Sequence, residues 1–244
     1  MRTNKQIESM KTKLFLYAAA IALSLAFIGC KGGNTPDDPS ESNPKYTYDA
    51  STRKYEVTMN DGQKLYFAVV ALEIREGVAT KLDTALTLIS YPNYMRGDDK
   101  SKTNEEPYLY KGNVSVPATI VLDKRWTVHA MMEQVCYYCK ELTTIELPAT
   151  IDEISYNAFA GCKQLKKVSL YATLIDDGAF YECSALEAMT CYSITPPRIG
   201  NPDFYNAEVF YNVPKFDLYV PQASIDVYKN SDWKNYTKNI LPME

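Results

Sequence analysis

Apolar positions along this chain follow three rhythms. From Leu14 to Ile28 the run LFLYAAAIALSLAFI carries no charge. Across residues 54–59, 64–74 and 85–90, Val, Tyr, Leu and Thr are frequent, and Asn60-Asp61-Gly62 punctuates the first two stretches. From Val114 onward, short apolar–polar–apolar triplets return at intervals: Val114/Val116, Ile145/Leu147, Val168/Leu170, Met189/Cys191 and Leu218/Val220. Period-two alternation means a strand with one buried face. The triplets therefore predict five short strands, and their regular return predicts that they lie side by side in a narrow parallel sheet. The 54–90 stretches predict a small antiparallel β unit with a hairpin at Asn60-Asp61-Gly62. Residues 222–229 and 231–236 predict short helices, with Ile225, Tyr228, Trp233 and Tyr236 covering the last strand.

The triplets belong to a longer repeat. Residues 143–165, TTIELPATIDEISYNAFAGCKQL, align with 166–186, KKVSLYATLIDDGAFYECSAL. Ile145 meets Val168 and Leu147 meets Leu170. After a two-residue deletion Ile154 meets Ile175, Ala158-Phe159 meets Ala179-Phe180, Cys162 meets Cys183 and Leu165 meets Leu186. Cys139 and Leu142 hold the same places upstream, where Cys136-Tyr137 stands in the Ala-Phe position. Residues 121–128 interrupt the frame and predict a hairpin around Asp123-Lys124-Arg125. A single unit cannot bury its own apolar face, so neighbouring units must stack, with Phe159 and Phe180 as consecutive core rungs.

AFAGCKQL and AFYECSAL, preceded by LPATIDEI, resemble the BspA-type leucine-rich repeat of bacterial surface proteins. Thr195-Pro196-Pro197, then Leu218-Tyr219-Val220-Pro221, Tyr228, Trp233 and Tyr236, resemble that family's final repeat and cap, so that the likeness runs from about Tyr110 to Ile240. The resemblance implies an α/β leucine-rich-repeat solenoid, rich in β, with short helical or irregular return segments, mainly β as the alternative, and a cell-surface role in adhesion or binding.

The first rhythm is an address. A membrane-spanning helix needs about 20 apolar residues, whereas a short run after Lys11 and Lys13 and before Gly29-Cys30 describes a secretory signal. Met10 would itself open a normal signal. Phe27-Ile28-Gly29-Cys30 resembles the lipobox of bacterial lipoproteins, with Phe27 where Leu is usual. That likeness implies cleavage before Cys30 and lipidation of Cys30, which would hold the chain to a membrane. Lys31, rather than Asp, implies an outer-membrane destination by the same analogy, with surface exposure open. The organisation expected is a signal peptide over 1–29, Cys30 and a flexible linker over 30–45, the β unit over 46–109, repeats over 110–221 and a cap over 222–244. Gly, Pro, Ser, Asn and acids fill the linker, and GDDKSKTNEE over 97–106 is a charged loop.

Charge and chemistry then narrow the function. The 26 Lys+Arg against 30 Asp+Glu give net −4, which becomes −7 without the signal, since that segment carries four bases and one acid. An acidic chain with no basic block has no footprint for nucleic acid. The single His, His129, rules out a multi-His metal site and reads as a surface or turn residue. No G-x-S-x-G, H-E-x-x-H, Walker A or G-x-G-x-x-G occurs, and no cofactor is implied. Cys136-Tyr137-Tyr138-Cys139 is a C-x-x-C, but the repeat frame explains Cys139 as an interior rung with Cys162 and Cys183. Packing is the leading reading, and a disulfide among Cys136, Cys139, Cys162, Cys183 and Cys191 stays open in an exported protein. Asp152/Glu153 and Asp176/Asp177 fall in turns and read as turn formers.

What remains is a binding protein without an evident catalytic set. The outward positions of the predicted strands are Ser115, Glu146, Ser169, Thr190 and Tyr219, with Asp217 two residues before Tyr219 on the same face. That open face is where a stacked-repeat protein usually binds. The partner would be a host or bacterial surface protein. A glycan is the rival, because the 20 Tyr include several at strand ends and turns that could stack on sugars.

Overall fold

The computed structural model describes residues 44–51, 53–76, 79–89, 110–200 and 208–243. The signal, Cys30, nearly all of the linker and the 97–106 loop lie outside the described residues. Within them the fold is mainly β, so the α/β label gives way to its alternative. The reason is local: the return segments close as turns four to six residues long, too short to wind a helix with a buried stripe. The α-helix among the described residues is α1 (Ile225–Lys229), in the cap.

The antiparallel unit consists of β1 (Lys45–Asp49), β2 (Lys54–Thr58), β3 (Lys64–Glu76) and β4 (Ala79–Leu88). The Asn60-Asp61-Gly62 hairpin forms as predicted. Met59 N–H donates to Gln63 O at 2.7 Å and Gly62 has φ +84°, a conformation that favours glycine. The interruption at 121–128 also forms its hairpin, between β6 (Thr119–Val121) and β7 (Arg125–Met131). Its destination was not foreseen. β7 pairs parallel to β4, giving a six-stranded sheet in the order β1-β2-β3-β4-β7-β6. Buried Trp126 locks it there: its indole N–H donates to Asp123 Oδ1 at 2.7 Å, and the Tyr55 hydroxyl donates to the same oxygen at 3.1 Å.

The triplets build a second six-stranded sheet, entirely parallel. Its strands are β5 (Gly112–Ser115), β8 (Leu142–Glu146), β10 (Lys167–Leu170), β12 (Ala188–Cys191), β14 (Phe216–Val220) and β15 (Thr237–Pro242). Val114, Ile145, Val168, Met189 and Leu218 sit opposite one another across it, in the register the repeat alignment predicts, and all are buried. β15 was not predicted: the chain returns after the cap helices and pairs with β14. A third, three-stranded parallel sheet joins β9 (Glu153–Ile154), β11 (Leu174–Ile175) and β13 (Arg198–Ile199).

The remaining wall is made of turns, which also bond in series. Cys136 N–H donates to Ala158 O, Phe159 N–H to Ala179 O and Phe180 N–H to Val209 O. The first unit is therefore in frame with Val135-Cys136 in the Ala-Phe place, one residue earlier than the alignment put it. The last unit supplies Val209-Phe210. Between the walls runs one core in which the rings of Phe159, Phe180 and Phe210 stack at 5.3 and 5.6 Å. Trp233 and Tyr228 close it at one end, with the Trp233 indole donating to Pro197 O at 2.9 Å and the Tyr228 hydroxyl to Ser193 O at 2.8 Å. Ile225 and Tyr236 pack on this core partly buried.

Candidate functional site

An outward face is built by the same alternation that buries the triplets. In β10, Val168 and Leu170 point into the core while Lys167, Ser169 and then Tyr171 point out. Parallel pairing in register repeats this on every strand. Ser115 lies opposite Glu146, Glu146 opposite Ser169, Ser169 opposite Thr190, and Thr190 opposite Tyr219. The five residues picked from the sequence thus form one continuous row. At a strand spacing of about 4.8 Å the row is roughly 20 Å long. Asp217 belongs to the parallel row two residues back, opposite Ala188 and Asn239, and its carboxylate accepts from the Asn239 amide at 2.8 Å.

Two features of this face escaped the sequence reading. β15 extends the row by Leu241, opposite Tyr219, so Tyr219 is interior to the face rather than terminal. Tyr171 and Tyr192, one step beyond Leu170 and Cys191, stack at 4.5 Å with 16° between their planes. The signal for this pair was present, since both follow the second apolar residue of their triplet, where the other triplets have Pro117, Pro148 and Pro221. The face is mixed in character, with Lys167, Glu146 and Asp217 as its charges.

The candidates for chemistry resolve into structure. Cys136, Cys139, Cys162, Cys183 and Cys191 are buried free thiols. Cys162 Sγ donates to Cys136 O at 3.0 Å and Cys183 Sγ to Phe159 O at 3.1 Å, so each rung thiol ties one turn to the one before. Burial pushes the Cys136 and Cys162 thiols well up, and that of Cys183 up to about 12. Cys139 is shifted down by its hydrogen bond from Cys136, against the effect of burial. A pair buried this deeply offers no accessible thiolate for attack. His129 is exposed on β7. Asp176 Oδ1 accepts from the Asp177 N–H at 2.9 Å, the bond of a turn former. Lipidation of Cys30 falls outside the described residues.

The wall of turns carries a second aromatic set: Tyr137, Tyr138, Tyr156 and Tyr181 border a cavity of about 300 Å³, and Tyr211 stacks on Tyr181.

A match to one protein family agrees with the repeat frame. Residues 129–228 match the BspA type leucine rich repeat region in six copies. No curated protein matches. Among solved structures, a leucine-rich repeat protein from Bacteroides capillosus aligns with 82% of this chain and 99% of its own, at 16% identity and TM-score 0.36. One from Bacteroides ovatus aligns over 84% of this chain and 54% of its own, at 13% identity and TM-score 0.34. A leucine rich cell surface protein from Faecalibacterium prausnitzii aligns over 83% and 44%, at 15% identity and TM-score 0.27.

Proposed function

We infer that this chain, whose residues 129–228 are a BspA-type leucine-rich-repeat region, is an exported and lipid-anchored binding module that meets a surface protein through the outward face of its parallel sheet. The repeats, stacked as a short solenoid, are the scaffold, and Cys30 is the anchor. The observation that carries the reading is the in-register row Ser115, Glu146, Ser169, Thr190 and Tyr219, which rigid backbone pairing holds in one strip. A strip of roughly 20 Å is short of a standard protein interface, so the expected binding is weak and gains from many copies on one membrane. A glycan is the less favoured ligand at this face. A sugar needs an open aromatic face, and Tyr171 and Tyr192 are stacked on one another.

An array of surface proteins and glycans tests the reading. Tyr219→Ala and Glu146→Lys should each weaken binding to the protein captured while leaving the melting temperature nearly unchanged. Normal binding by both, with loss on substitution in the antiparallel unit, would move recognition there. For the anchor, mass spectrometry of the native protein should find a mature N-terminus at Cys30 bearing acyl chains; an intact bond between residues 29 and 30 rejects it.

A further inference from the structure

An edge strand presents backbone N–H and C=O groups that can pair with another chain, and folded proteins ordinarily protect such edges. The two six-stranded sheets end in β15, β5, β6 and β1. β15 carries Lys238 exposed and finishes in Pro242, both of which discourage pairing. β5 is covered where the Gln63 amide donates to Asn113 O at 3.1 Å. β6 is only three residues long. β1 has none of these devices. It is five residues long, exposed at every position and paired on one side, with β2. On the face it shares with Tyr55, Tyr46 and Tyr48 remain 39% and 46% exposed, although their rings lie 5.8 and 4.6 Å from that of Tyr55.

The order of residues in β1 decides what fits there. Lys45-Tyr46-Thr47-Tyr48-Asp49 is complementary to its own reverse. Laid antiparallel against a second copy, with Thr47 opposite Thr47, it sets Tyr46 opposite Tyr48 twice and Lys45 opposite Asp49 twice. Alternation keeps the two sets on opposite faces. On the tyrosine face each half-exposed ring gains an aromatic cross-strand neighbour. The row Tyr55, Tyr48 of one chain then continues into Tyr46 and Val57 of the second copy. On the other face Asp49 is already engaged: its Oδ1 accepts from the Ser51 N–H and hydroxyl at 2.9 and 2.6 Å, and it sits opposite Lys54 across the hairpin. Lys45 of the second copy extends this to Lys54, Asp49, Lys45, with no like charges adjacent. Glu56, opposite Thr47, is answered by Lys64 at 2.6 Å. An edge lysine ordinarily repels its own copy, and here the register that pairs the tyrosines makes it attractive. Parallel pairing would set lysine on lysine and aspartate on aspartate. The match is thus to this chain itself.

We propose that β1 is a self-association edge, through which two copies of this chain join their antiparallel sheets about a two-fold axis at Thr47. Five residue pairs make a contact about 17 Å long, below the size of a standard interface, so the dimer is reversible. It goes beyond the binding face of the parallel sheet and does not depend on it. The test is cross-linking and sedimentation of the full-length protein in excess detergent micelles. Thr47→Cys puts one thiol from each copy at the axis. Mild oxidation with copper phenanthroline in air, in which the two thiols give two electrons and two protons to oxygen, should link them. Lys45→Cys alone should give at least fivefold less dimer, because its two copies lie about 14 Å apart, whereas Lys45→Cys mixed with Asp49→Cys should link. The chain without an added cysteine sets the background. In sedimentation the parent should form dimers as concentration rises. Lys45→Asp, which sets carboxylate against carboxylate, should raise the dissociation constant at least fivefold with the melting temperature unchanged. Tyr219→Ala should dimerise as the parent does, so failure here and failure of the sheet-face reading are separate results. The proposal is overturned if the parent stays monomeric at every concentration, if Thr47→Cys links no better than Lys45→Cys, or if Lys45→Asp dimerises as well as the parent.

Discussion

The rings of Phe159 and Phe180 lie nearly parallel in adjacent turns, fully buried, and Phe210 continues the stack with only 3° between its plane and that of Phe180. A ring removed here leaves a cavity that its stacked neighbours cannot collapse into. Phe180→Ala should cost about 3–5 kcal/mol, measured by urea denaturation; a loss under about 1 kcal/mol would mean the stack does not carry the core. The turns also use left-handed backbone, at Gln134, Asn157 and Gly178 in successive units, which glycine adopts with the least strain. Gly178 has φ +66° and a Cβ there would lie 1.9 Å from Asn157 Oδ1. Gly178→Ala should therefore destabilise by more than about 1 kcal/mol. Gly62→Ala, with a positive φ but open space around it, should cost less, which separates the clash from the dihedral penalty.

At the scale of the element, the cysteine rungs make stability depend on alkaline pH. Cys183 has an ordinary value of 9.0 in the unfolded chain and about 12 when folded, raised by burial. Cys136 and Cys162 shift the same way for the same reason. The folded state therefore holds these protons more tightly. Their stabilisation is complete below about pH 9 and is lost as pH climbs from there toward 12. Denaturation midpoints should fall steadily between pH 9 and pH 11. Buried Tyr110 and Tyr228, also raised by burial, contribute to the same slope. Cys183→Ala should flatten the slope without abolishing it; an unchanged slope would show that this thiol does not titrate with unfolding.

At the scale of the whole molecule, the antiparallel sheet and the repeats are joined by polar contacts of which those of Tyr110 are buried. The Tyr110 hydroxyl donates to Ile89 O at 2.6 Å and accepts from the Tyr66 N–H at 3.4 Å, so one phenol just ahead of β5 grips β3 and the end of β4. The Gln63 amide adds a bond to Asn113 O at 3.1 Å, and Ser155 and Thr150 donate to carbonyls of β7. Tyr110→Phe keeps the ring and leaves the Ile89 carbonyl without its partner, at about 1–3 kcal/mol. Hydrogen exchange at the Tyr66 amide should quicken in that variant more than exchange at Val168, deep in the repeats. Equal change at both would mean that Tyr110 supports global stability rather than the joint between sheets.

The sequence by itself determined everything that depends on short-range alternation and on repetition. Each triplet must bury one face, and a repeated frame must stack, so the strand register, the row from Ser115 to Tyr219 and the phenylalanine rungs were all legible. The likeness to a repeat family was carried by the Ala-Phe and Cys-x-x-Leu spacing. Only the tertiary structure decided the rest, because those contacts join positions with no common period. That β7 crosses to pair with β4 depends on Trp126 finding Tyr55 and Asp123, which no local pattern announces. β15 pairs with β14 only after the cap has turned the chain back, and its sequence, TKNILP, alternates too weakly to predict a strand alone. The offset of the first unit by one residue was hidden because Cys136 and Tyr137 are both plausible at a buried aromatic place, and backbone bonding to Ala158 chose between them.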